Sequence, residues 1–286
     1  MKKLLLSACL AAVCPVAVHG QWYLRAGIGY AMPQSAQSLD YSSSVYSGTE
    51  TITTSGNRYT VRSASFSAGI PAGLALGYMV TSHVGVQLEA MSALHSDNYT
   101  FTIDNYSYNG YSATRINTDH ARVPLIAIPS LVLQSGATHR WNLYALLGAA
   151  LPVRATVSMD HKYIVPSVSE THDFGYTMKT RFTVGFKASA GVQYKLSECF
   201  SLCGELSALS LSPYAKERDL TYYAFNGISE PLSHVTSAHT ITYSKSTVTD
   251  ATHAIAYTIP FSSFGGSIGL IFRPGARAHH HSQGKR

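Results

Sequence analysis

The chain is short of charge, of cysteine and of long apolar runs. Asp, Glu, Lys and Arg make up 13% of its 286 residues, about half the share of an average globular domain. Charge this sparse suits a membrane protein, yet beyond the N-terminus there is no run of 18 apolar residues to make a spanning helix. Where lipid demands that every backbone polar group be satisfied internally, a closed barrel is then what remains. Of the four cysteines, Cys9 and Cys14 fall in the N-terminal stretch, leaving Cys199 and Cys203. There is no basic groove with interleaved aromatics, so nucleic acid is not an expected partner. The net charge of +6 is carried largely by the chain ends: Lys2 and Lys3 at one, Arg273, Arg277, Lys285 and Arg286 at the other. No G-x-S-x-G elbow in a strand-to-helix context points to a hydrolase. No catalytic residue, cofactor or metal site is expected.

What the sequence does have is alternation. In residues 182–196, Phe182, Val184, Phe186, Ala188, Ala190, Val192, Tyr194 and Leu196 fall on one face of a period-2 strand. Thr183, Gly185, Lys187, Ser189, Gly191, Gln193 and Lys195 fall on the other. A soluble sandwich or an outer-membrane barrel could both use that pattern. The small, Gly- and Ser-rich polar face favours a narrow lumen over a solvated surface, and aromatics near both ends suit two interfacial girdles.

The same template recurs at 22–30, 66–80, 84–94, 123–133, 141–153, 200–210 and 263–272, giving eight strands with 182–196. Short turns at 81–83, 136–140 and 197–199 alternate with long connections at 33–64, 97–121, 156–180 and 212–261. Short periplasmic turns and long extracellular loops are the signature of an eight-stranded antiparallel up-and-down transmembrane β-barrel. Residues 123–133 are apolar on both faces and hold Pro124 and Pro129, leaving their phase open. Ten strands are the alternative, because 236–243 and 253–261 also alternate; the latter are out of phase with Phe264 onward, and a β-bulge with strands extending above the membrane is the simpler account.

Residues 1–20 read as an export signal: Lys2 and Lys3, an apolar stretch from Leu4 to Val18, then Val18-His19-Gly20 before Gln21. Leu6-Ser7-Ala8-Cys9 offers a lipobox as the alternative, with too short an apolar segment ahead of it. The barrel is assigned to 21–273 and a basic, His-rich periplasmic tail to 274–286. QWYLRAGIGY, the repeated G-x-G strands and the closing SFGGSIGLIFRP resemble the small outer-membrane β-barrel family that includes outer-membrane protein X and the transmembrane domain of outer-membrane protein A. The resemblance implies a cell outer membrane location in a Gram-negative envelope, contact with outer-membrane lipid, insertion by the barrel-assembly machinery and a monomeric barrel. The chain departs from the family pattern in extending 14 residues past Phe272 and in having no peptidoglycan-binding domain after the barrel.

In these phases Arg25, Glu89, Lys187 and Glu205 all point inward. Buried charges must be paired, and an eight-stranded barrel is just wide enough for side chains to fill. The four form a plug or, alternatively, a narrow gated path. Trp22, Tyr78, Trp141, Tyr194, Phe200 and Phe272 are assigned to a periplasmic aromatic girdle, and Tyr30, Phe66, Phe182 and Phe264 to the outer one. His234, His239 and His253, or the run His279 to His281, would bind metal only if their imidazoles converge; solvated loop and tail is the plainer reading. Cys199 and Cys203 in extended chain are too far apart to bridge, unless a turn is centred between them. The long connections are rich in Tyr, Ser, Thr, Asn and Gly, a composition shared with loops that bind a protein or glycan ligand and with exposed loops of no such role. The expected role is structural or interactive, with a narrow porin or small-solute channel as the alternative.

Overall fold

A computed structural model of the chain describes residues 21–34, 51–52, 65–96, 99–121, 125–136, 140–235, 239–244 and 252–274. The expected export signal, the tail after residue 274 and most of the first long connection lie outside the described residues. Eight strands form the body: β1 (Gln21–Pro33), β2 (Gly69–Met79), β3 (Val84–Ser96), β4 (Leu125–Gln134), β5 (Trp141–Arg154), β6 (Gly185–Lys195), β7 (Phe200–Ser210) and β8 (Ser263–Phe272). Each pairs antiparallel with its chain neighbours, and β1 pairs with β8 to close the barrel. The ten-stranded alternative is not what forms.

The barrel is inside out relative to a soluble protein. Leu74, Leu143, Leu147, Phe186, Leu206 and Ile268 are each more than 60% exposed on its outer wall. Gln87, Glu89, Asn142, Lys187, Gln193 and Glu205 are buried inside. An apolar surface this continuous is stable only against hydrocarbon. On β4 the open phase resolves: Ile126, Ile128 and Val132 are buried, while Leu125, Leu131 and Leu133 face out. Pro129 has no N–H to give, and the ladder to β5 skips Ile128 and Pro129 before resuming at Ser130↔Gly148.

Two strands start three residues later than expected. β2 opens at Gly69, where φ is +111°, because residues 65–68 turn into the barrel mouth: the Phe66 N–H donates to the Pro260 carbonyl at 2.9 Å. β6 opens at Gly185, and Phe182 stands ahead of it, 71% exposed.

The segments expected to be long loops are largely strands. Tyr99–Tyr108 pairs with Tyr111–Ala121, Thr156–Val165 with Glu170–Thr180, and Ala215–Phe225 with Thr240–Ser244. Together with His253–Ile255 and Thr51–Ile52 they join side by side in a second sheet beyond the long-connection end of the barrel. Two tight turns explain much of this. Asn109-Gly110 and Asn226-Gly227 both hold positive φ (49° and 84°, 49° and 80°), the signature of two-residue type I′ hairpins.

Candidate functional site

The lumen is filled in layers. At the short-turn end, Arg273 Nη2 donates to Gln193 Oε1 at 2.8 Å and Nη1 to Ser201 Oγ at 3.1 Å. Alongside, Asn142 Nδ2 donates to Gln134 Oε1 at 2.9 Å. Above this base lies a mostly apolar layer of Tyr23, Met79, Val132, Tyr144, Leu146, Cys203 and Ile271. Inward glycines make room for its rings. A Cβ on Gly77 would run into the Tyr23 ring, and one on Gly191 would sit 2.5 Å from the Gly204 carbonyl oxygen and 2.6 Å from Tyr144 Cζ. In each case the ring covers a glycine directly opposite on the neighbouring strand, which restores the packing a strand glycine lacks.

The charged layer comes next. Lys187 Nζ donates to both Glu89 oxygens, at 2.8 and 2.9 Å, and lies 3.7 Å from Glu205 Oε1. Arg25 donates through Nη1 to Glu205 and through Nη2 to Glu89 at 3.3 Å. Tyr144 Oη donates to Glu205 Oε2 at 3.0 Å. Two cations thus meet two carboxylates, with side chains no more than 10% exposed. A cavity of about 50 Å³ adjoins all four, space for a few waters.

A second apolar layer closes the outer mouth. Ile126, Ile128, Ala150 and Leu209 from the wall pack against Phe66, Leu211, Ile259 and Phe261 from the connections. The Phe66 and Phe261 ring centroids are 5.8 Å apart. Backbone bonds hold the plug: Phe261 N–H to Leu211 O at 3.0 Å, Ile259 N–H to Pro213 O at 2.7 Å. The Ser67 hydroxyl adds a bond to Phe261 O at 2.6 Å. Among the described residues the four charges therefore lie between two apolar layers.

The second sheet carries its own core. Tyr163, Phe174 and Leu220 pack with Tyr108, Tyr176, Tyr223, Leu232 and Val235. His161 is 3% exposed, with its Nδ1 3.4 Å from Arg115 Nη2 and its ring 5.0 Å from that of Tyr176. Arg218 lies over Tyr176 at 4.6 Å. Burial first, and then the Arg115 and Arg218 guanidiniums, hold the His161 imidazole well below its ordinary pKa. On the opposite face Lys179 Nζ bridges Glu217 Oε1 at 2.8 Å and Asp219 Oδ2 at 2.9 Å. The Lys179 hydrogen bond is the main reason the Asp219 carboxyl lies below the usual range.

A closed, lipid-facing barrel of this kind agrees with a family pattern for the outer membrane protein beta-barrel domain that matches residues 4–229. The chain belongs to that family. In this outer membrane barrel the short-turn end is periplasmic and the second sheet extracellular, following the rule for such proteins. Solved structures similar to it include the outer membrane protein OprG from Pseudomonas aeruginosa, 14% identical, with 89% of this chain and 95% of that one covered at a TM-score of 0.41. A major outer membrane protein from Thermus thermophilus is 12% identical, covering 89% and 98% at 0.39. CarO2 of Acinetobacter baumannii is 14% identical, covering 88% and 98% at 0.35. Likeness this distant says nothing of what the barrel carries or binds. No curated protein matches the chain significantly.

Of the residues singled out in the sequence, Arg25, Glu89, Lys187 and Glu205 are brought into contact. At the periplasmic end the aromatics meet in three cross-strand pairs: Trp22 with Tyr78, Trp141 with Tyr194, and Phe200 with Phe272, at 4.9, 4.7 and 5.1 Å. Tyr30, Phe182 and Phe264 are exposed near the other end. Phe66 is a correction: at 1% exposure it belongs to the mouth plug and not to the outer girdle. Arg273, expected to contribute with the chain ends, is folded into the base of the lumen. Cys199 and Cys203 are free thiols. His234, His239 and His253 bond locally, to Glu230, the Val235 carbonyl and Thr252. Tyr144 and the mouth plug were missed, although the inward phase of Tyr144 and the doubly apolar β4 both pointed to them.

Proposed function

We propose that this outer-membrane protein is a closed, monomeric barrel without enzymatic activity, whose role is structural or interactive and is exercised through its extracellular sheet. Its partners in that role would be a protein, glycan or surface outside the cell. The observation that carries the reading is that, among the described residues, the four-residue ion cluster has apolar layers both above and below it. The cavity of about 50 Å³ favours the channel alternative, which would require the cavity to connect with both mouths.

The deciding experiment is planar-bilayer conductance of the wild type and of Glu205→Gln. The closed reading expects no unitary steps from the wild type, and from Glu205→Gln a loss of folded stability, since Arg25 loses its principal carboxylate. Steady unitary conductance in the wild type, altered in Glu205→Gln at unchanged stability, would establish the channel instead.

A further inference from the structure

The extracellular sheet ends, away from the membrane, in a rim of three turns: 108–111, 165–170 and 225–228. They lie side by side. Thr114 pairs with Ile164 and Val165 with Glu170. Asn226 N–H donates to the Thr171 carbonyl at 2.8 Å, and Thr171 N–H returns a bond to Asn226 Oδ1 at 2.7 Å. The two Asn-Gly turns and this reciprocal pair fix the rim in place. The strand Thr156–Val165, ten residues long, reaches up to about 33 Å beyond β5 at the usual strand rise.

Among the described residues of the three turns, Glu170 is the one charged side chain. Tyr108 to Tyr111, Val165 to Ser169 and Phe225 to Ser229 contain no Asp, Glu, Lys, Arg or His. Three of the rim's side chains project: Tyr111 is 50% exposed, Val168 39% and Ile228 67%. Further charge adjoins the turns at Glu230, and lies farther down the strands at the Lys162–Asp173 pair at 3.8 Å. These three apolar side chains, one from each turn, stand at one edge of the sheet.

The shape selects the partner. A stable protein interface needs a matched area on the order of 1,000 Å², and three side chains on separate convex turns offer no such face. A bilayer requires no matched shape. Its interface accepts Tyr at headgroup level and aliphatic side chains just beneath. With no Lys or Arg among the described residues of the three turns, and Glu170 beside them, they offer no attraction to anionic lipid. We propose that the rim docks onto an apposed zwitterionic bilayer, that of another cell or vesicle, with Tyr111, Val168 and Ile228 entering its interface. This rests on the reading of the extracellular sheet as the interaction surface.

The test uses the full barrel held in a nanodisc and mixed with phosphatidylcholine vesicles. The wild type should co-float with the vesicles. The combined variant Tyr111→Ser, Val168→Ser, Ile228→Ser should lose at least about tenfold in the bound fraction, given the apolar area removed. Tyr111→Trp should gain a blue-shifted emission component on adding vesicles, above the constant background of Trp22 and Trp141. Retained heat-modifiability in gels checks that each variant is folded. Absence of wild-type flotation, or flotation unchanged in the triple variant, would overturn the assignment. So would association only between protein-bearing nanodiscs, which would make the rim a protein contact. None of these results touches the closed lumen, whose failure would be seen as conductance.

Discussion

Lys187 on β6 and Glu89 on β3, 98 residues apart in sequence, meet across the lumen with Nζ 2.8 Å from Oε1 and 2.9 Å from Oε2. Three strand steps separate β6 from β3 around the ring, so this contact braces nearly opposite walls. Arg25 and Glu205 complete a set in which each cation touches both carboxylates.

Replacing Glu89 by Gln leaves two buried cations to share Glu205. The expected loss is about 3 to 5 kcal/mol, the usual result of breaking a buried pair from one side. Removing Lys187 as well, as Lys187→Met, restores the balance and should recover part of that loss. Urea unfolding of the reconstituted barrel, followed by gel mobility, reads both. A double variant no more stable than Glu89→Gln alone would mean the four residues do not act as a neutral set.

The glycines beneath the rings should be far less replaceable than their size suggests. Gly77→Ala drives a methyl into Tyr23, and Gly191→Ala drives one into Tyr144 and the Gly204 carbonyl; each should cost about 1 to 3 kcal/mol through overpacking. Gly204→Ala is the control, since a Cβ there meets nothing within 4 Å; its effect should stay within about 0.5 kcal/mol. Equal effects at all three positions would remove the ring-over-glycine explanation.

At the outer mouth, Phe66→Ala and Phe261→Ala should each destabilise by about 3 to 5 kcal/mol. Because the rings touch, the combined change should depart from the sum of the single ones by more than about 0.5 kcal/mol. Strict additivity would show the two connections to be anchored independently.

The extracellular sheet should weaken in acid. His161 has a folded-state pKa lowered below its ordinary value of about 6.5, so the unfolded chain binds the proton more readily. The stability contributed by neutral His161 is therefore present above pH 6.5 and is lost progressively as pH falls below it. Limited proteolysis of the extracellular hairpins should accelerate between pH 7.5 and 5. In His161→Gln, which keeps an acceptor for Arg115, that dependence should flatten; an unchanged pH profile would assign it to another group.

Much of the barrel was legible because lipid imposes a strict code. A period-2 alternation with an oily outside cannot slip by one residue without turning charge into hydrocarbon, and so β7 and β8 start and stop where the alternation does. The same phase rule places Arg25, Glu89, Lys187 and Glu205 inside. It fails where the chain leaves the bilayer. Phe66 keeps the phase of its strand by sequence, yet residues 65–68 answer to Phe261 and Pro260, contacts almost 200 residues away that no local pattern encodes. Alternation in 236–243 and 253–261 does signal strand above the membrane, but the other extracellular strands read as loops because their Tyr, Ser and Thr carry no clear hydrophobic alternation, although Asn109-Gly110 and Asn226-Gly227 are hairpin signals in plain view.

The closed lumen is tested most directly by a thiol already in it. Cys203 is 5% exposed and borders the cavity beside Glu205 and Arg25. The measurement is the rate at which a small water-soluble methanethiosulfonate modifies Cys203 in the folded barrel carrying Cys199→Ser and lacking residues 1–20. A lumen closed at both ends predicts no modification until the protein is heated, and full modification afterwards. Labelling of the folded barrel at the rate of a free thiol would mean that water and solute pass the plug, and would contradict the account.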